Sequence, residues 1–148
     1  MEFSCKMLKC DTGDLSMFPR KEVERAIVEY MKQKILVGEL YESHVSGFGS
    51  VINLAKVSHK ILDTFVSKEG EWIAIADTLD TRNGKIIEEI LTLGIQPQLS
   101  PRYSNTVDKK GKVTNITLIA IDALREEDKN TLSKELGFAM GKYEDISA

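Results

Sequence analysis

Three side chains in this sequence have the chemistry of a nucleophilic triad. His44 stands in "VGELYESHVSGFGS", Ser100 in "IQPQLSPRYSNTV", and Asp122 at the end of "TLIAID". A serine hydroxyl attacks a carbonyl only when a base takes its proton, and imidazole does this near neutral pH. A carboxylate behind the imidazole fixes its tautomer and stabilises the imidazolium. Each residue also has a plainer reading. His44 fits a surface loop, and Ser100 fits a strand beside a bend. Asp122 is more informative, because strand alternation places it on the face of Ile116, Leu118 and Ala120. A carboxylate at the end of an apolar face costs free energy unless it is paired. It does not form a capping box with the following segment, since Arg125 stands where Glu or Gln is needed. His59 is a rival base, but it lies in a strand pattern between Val57 and Ile61 and reads as a core or sheet-surface histidine.

The segments that must position these residues follow from periodicity. Residues 2–10 read as a short strand and "DTGDLSM" as a loop. "FPRKEVERAIVEYMKQKIL" is a helix with Pro19 at its first position and an apolar face of Val23, Ala26, Ile27, Tyr30 and Met31. "VGELYESHVSGFGS" reads as a Gly/Ser-rich loop of the length that carries function. "VSHKILDTFVS" and "EWIAIADTL" form an antiparallel pair turning at "KEG". "KIIEEILTL" is a helix buried through Ile86, Ile87, Ile90 and Leu91, with Asn83 as its cap and Gly94 as its stop. "IQPQLSPRYSNTV" and "KVTNITLIAIDAL" are strands joined at "DKKG", and "REEDKNTLSKELGFAM" is a closing helix. Residues from about 138 to 148 read as a frayed tail. The expected fold is α+β, a largely antiparallel curled sheet or barrel surrounded by helices, in the order β-α-β-β-α-β-β-α. "GFGS" lacks the strand-loop-helix setting of a phosphate loop.

Bulk composition narrows the function classes. The chain has 148 residues, 42% hydrophobic and 29% charged, which suits one globular domain over 1–148. With a net charge of −3 and no Lys/Arg run, nucleic acid is not an expected partner. No apolar run is long enough to cross a bilayer, and "MEFSCKMLKC" has no signal-peptide core, so no membrane is expected and the cytoplasm is. Cys5, Cys10, His44 and His59 lack metal-ligand spacing, so neither a metal nor a cofactor is expected.

Five stretches, in order, resemble the prohead core proteases of tailed bacteriophages. "MFPRKEVERAIVEY" is similar to that family's Tyr-Pro entry to its first helix. "VGELYESH" is similar to its Gly-Glu-Leu-x-His loop. "NLAKVSHKILD" and "ADTLDTRNGKIIEEILTLGI" look like the strand pair and helix that precede its nucleophile. "QLSPRYSN" matches its Val-Ser-Ser-Arg-Gly segment, and "ITLIAIDAL" matches the strand carrying its aspartate. The likeness covers residues 11 to 124.

The resemblance implies a serine endopeptidase with His44 as base, Ser100 as nucleophile, Asp122 as orienting acid and Arg102 beside the oxyanion hole. It implies a barrel fold shared with herpesvirus assembly proteases. The expected substrates are scaffold and capsid precursor proteins and the protease itself, inside the assembling prohead in the host cytoplasm; a homo-oligomer is compatible with this. The alternative is an inactive structural or scaffold-interacting head protein of the same fold. The chain departs from the pattern at three places. Two extra residues precede His44, Pro101 replaces the second serine, and Tyr103 replaces a glycine. Pro101 has no N–H to offer an oxyanion, so that role falls to Arg102 or a neighbouring amide. The family's preference for cutting after Glu, with an apolar residue two places earlier, picks out Leu40-Tyr41-Glu42 as a self-cleavage site in the expected loop. Ile27-Val28-Glu29 and Ile86-Ile87-Glu88 fit too, but lie in expected helices.

Overall fold

The computed structural model describes residues 1–10, 18–41 and 52–124. Within them the chain runs β1 (Glu2–Lys9), α1 (Arg20–Met31), β2 (Val37–Tyr41), a 3-10 turn (Leu54–Lys56), β3 (Val57–Val66), β4 (Glu71–Thr78), α2 (Arg82–Thr92), β5 (Gln98–Val107) and β6 (Val113–Leu124). The strands form one sheet in the order β1-β4-β3-β2-β6-β5. All its pairings are antiparallel except that of β2 with β6. The sheet curls until its outer strands touch. Leu99 N–H on β5 reaches Cys5 Sγ on β1 at 3.4 Å, and Gln96 Nε2 donates to Ser4 O at 2.6 Å.

Both expected hairpins form, because each turn supplies a glycine where the backbone needs positive φ. Gly70 closes the β3–β4 turn at φ 83° and Gly111 the β5–β6 turn at φ 82°. The α1 face is buried through Val23, Ala26, Ile27 and Tyr30. This helix lies against β3 and β6. Its Arg25 and Glu22 side chains take both backbone groups of Ile116, with Nη2–O at 2.8 Å and N–Oε1 at 3.0 Å. The core centres on Trp72, fully buried, whose Nε1–H donates to Thr64 Oγ1 at 2.8 Å.

Three expectations are corrected. The first helix ends at Met31 rather than running to Leu36. Leu36 O instead accepts Ile61 N–H at 2.7 Å, so sheet pairing outcompetes the last helical turn. The cap of α2 is Thr81, whose side chain accepts Gly84 N–H at 2.9 Å. Asn83 is buried one turn further in and donates to Lys56 O at 2.9 Å.

The third correction is the largest. "VGELY" is not loop but the strand between β3 and β6. It was obscured by Gly38, which weakens strand propensity and here marks a close approach. A Cβ on Gly38 would strike Ile121 O and the His59 ring. The missing side chain lets His59 lie across β2 and reach β6. Leu40-Tyr41 is therefore paired to Ala123-Leu124 in the sheet, with Leu40 buried. Ile27-Val28-Glu29 and Ile86-Ile87-Glu88 do lie in α1 and α2. The expected closing helix and tail fall outside the described residues.

Candidate active site

The β5–β6 hairpin places Ser100 directly opposite Asp122. Side chains of such a pair share one face, with Cβ atoms about 5 Å apart. Arg102, two residues on, returns to the same face, and Glu39 joins it from β2. Arg102 holds Asp122 with two nitrogens, Nε to Oδ2 at 3.0 Å and Nη2 to Oδ1 at 3.2 Å. Nη2 also reaches Glu39 Oε2 at 3.0 Å. The Glu39 N–H donates to Asp122 Oδ1 at 3.0 Å, and Asn53 N–H donates to Glu39 Oε2 at 3.2 Å. All three charged side chains are at most 3% exposed. Burial of a carboxylate is tolerable only with partners of this kind, which is the pairing that the apolar setting of Asp122 demanded.

Ser100 is different. It is 1% exposed, yet among the described residues its Oγ has no hydrogen-bond partner. Leaving a buried hydroxyl unmet costs about 1–3 kcal/mol. Such an atom next to a desolvated carboxylate marks a place where the molecule holds a reactive group rather than a structural one. Pro101 is accommodated because β5 lies at the edge of the sheet. Arg102 stands beside Ser100 in sequence, with Nε and Nη2 directed at the two carboxylates. His44 lies outside the described residues, and with it the expected contacts of His44 with Ser100 and Asp122.

His59 is fully buried. Its Nε2 lies 2.7 Å from Ile121 O, a pure acceptor, so Nε2 carries the proton. Nδ1 then accepts from Ser58 Oγ at 2.8 Å. This Ser58–His59 pair has the spacing of a nucleophile and its base, but both residues are sealed in the core. Burial pushes the His59 imidazole down to about 4, against a smaller opposing effect of the Ile121 carbonyl. The folded value is below the unfolded one, so the unfolded chain binds a proton that the folded chain refuses. Stability is full above about pH 6.5 and falls toward pH 4, by roughly 1.4 kcal/mol per pH unit. His59→Gln, which keeps an N–H for Ile121 O, should flatten this slope. Urea midpoints at pH 7 and pH 5 should separate less in the variant than in the wild type; equal separation would mean that His59 titrates normally.

Reading the sequence alone left Glu39 without a role. The available signal was a carboxylate between Gly38 and Leu40 in an otherwise apolar run, which needs a buried partner if that run is a strand. Among the described residues, no group of three or more His, Cys, Asp or Glu is placed to hold a metal ion. Among them, too, no helix is long and apolar enough to cross a membrane.

No family model matches the chain, and no curated protein sequence does. A solved structure does match. The capsid assembly protease of bacteriophage T4 superposes with a TM-score of 0.66 over 84% of this chain and 81% of its own, at 16% identity. At that identity the likeness concerns backbone architecture. This chain and the T4 capsid assembly protease share one fold.

Proposed function

We propose that this chain is a serine endopeptidase that processes phage scaffold and capsid precursor proteins during prohead maturation. The observation that carries the reading is the buried, unpartnered Oγ of Ser100, set across the strand pair from Asp122. The fold shared with a capsid assembly protease supports it. In this reading His44 takes the Ser100 proton as Oγ attacks the substrate carbonyl. The same imidazole returns the proton to the leaving amine, and water then cleaves the acyl-enzyme. Asp122 stabilises the imidazolium, and Arg102 supports the oxyanion with a neighbouring amide. The work would take place inside the assembling prohead in the host cytoplasm. The protease itself is among the substrates, but the Glu42–Ser43 bond adjoins a paired strand end, so cutting there requires β2 to open from β6 first.

A second reading, an inactive structural head protein, is favoured by one observation: the Asp122 carboxylate is engaged by Arg102 and by Glu39 N–H. The two readings separate with a fluorescent alkyl fluorophosphonate, which acylates only an activated serine. Mass spectrometry of the labelled protein is expected to place the adduct on Ser100. His44→Ala should slow labelling by about 10³-fold or more. No adduct, or an adduct elsewhere, would establish the structural reading.

A further inference from the structure

We propose that Glu39 is a positioning residue of the Ser100 site, acting through the guanidinium that it shares with Asp122. This rests on the triad reading above. Arg102 grips Asp122 through Nε and Nη2, at 3.0 and 3.2 Å. By itself that contact joins one carboxylate to one cation, a pair with no net charge. A neutral pair stabilises an imidazolium poorly, which is the task a triad carboxylate performs. Glu39 Oε2 takes the same Nη2 at 3.0 Å. Two carboxylates now face one guanidinium, and the cluster keeps a charge of −1. Because the three side chains are at most 3% exposed, water does little to screen it.

The neighbouring elements supply no competing charge at this place. Tyr30 on α1 stays neutral, since burial and then the Asp122 charge push its hydroxyl up. His59 on β3 stays neutral through burial. Glu22 and Arg25 on α1 pair with each other further along β6, at Ile116. Glu39 also has a geometric effect. Its N–H binds Asp122 and its carboxylate binds Asn53 N–H, at 3.0 and 3.2 Å. The strand that precedes residues 42–51 and the residue soon after them are thus tied to the same buried cluster. His44 belongs, in sequence, to the stretch between these two ties.

The test is the rate of acylation by the fluorescent fluorophosphonate as a function of pH, which needs no knowledge of the natural substrate. Labelling requires a neutral base, so its acidic limb reports the imidazole. Removing a nearby negative charge lowers the imidazole's proton affinity. In Glu39→Gln and Glu39→Met the limb should therefore move to lower pH, by on the order of one unit. The plateau rate should fall up to about tenfold, because the imidazolium formed in the transition state loses the same stabilisation. Glu39→Asp keeps the charge and should keep the limb. A residue with a purely structural role would lower the plateau in all three variants and leave the limb in place. That result overturns the proposal, as does failure of both neutral variants to fold. Wild-type protein that takes no label removes the triad reading and this proposal together. Label on Ser100 with an unmoved limb removes only the role of Glu39.

Discussion

Ser100→Ala is expected to reduce peptide cleavage by about 10⁴-fold or more, because triad members act as a unit and loss of the nucleophile leaves only binding and oxyanion stabilisation. The same change should not harm the fold. The deleted hydroxyl has no partner among the described residues and sits at 1% exposure. Its removal relieves an unmet polar atom while the Cβ still fills the space, so stability should hold or rise by about 1 kcal/mol. Cleavage of capsid precursor and a denaturant midpoint, measured on one preparation, read the two effects separately. Activity near wild type would dismiss Ser100 as nucleophile. A fall in stability of several kcal/mol would show that the hydroxyl is structural and that its position implies nothing catalytic.

The second large effect is on stability. Arg102→Met should cost about 3–5 kcal/mol, since it strands two buried carboxylates without a cation. A domain has only about 5–15 kcal/mol in total, so the variant should lie at the edge of unfolding at ambient temperature. Neutralising the whole cluster is milder than breaking it. Glu39→Gln/Arg102→Met/Asp122→Asn should therefore be more stable than Arg102→Met alone. The check is urea denaturation of both variants. If the triple variant is the less stable of the two, the cluster contributes through its specific hydrogen bonds more than through relief of buried charge.

Much of this architecture is legible along the chain. The strands of β3–β4 and β5–β6 alternate with period two, and each pair turns at a glycine that the backbone needs at positive φ. Those are local facts, and local physics is what a sequence displays. The same holds for the buried face of α1, written in the spacing of Val23, Ala26, Ile27 and Tyr30. Ser100 and Asp122 were also accessible, because the hairpin that makes them neighbours is continuous in sequence. The demand for a partner at Asp122 could be stated in advance, since an apolar strand face does not tolerate a bare carboxylate.

The identity of that partner could not. Glu39 meets Asp122 across 83 residues, through a parallel pairing of β2 with β6 that no hairpin announces. The strand that makes the contact was itself hidden by Gly38. That glycine is unfavourable for an isolated strand and is required only because the His59 ring passes over it to Ile121. Composition and spacing determined the elements, the hairpins and the residue types of the candidate site, because each depends on neighbours a few positions apart. Tertiary structure decided which strand lies between β3 and β6, which histidine is sealed in the core and which two carboxylates share one arginine. Strand order and the pairing of buried charge minimise a free energy summed over the whole fold, and no single segment carries that sum.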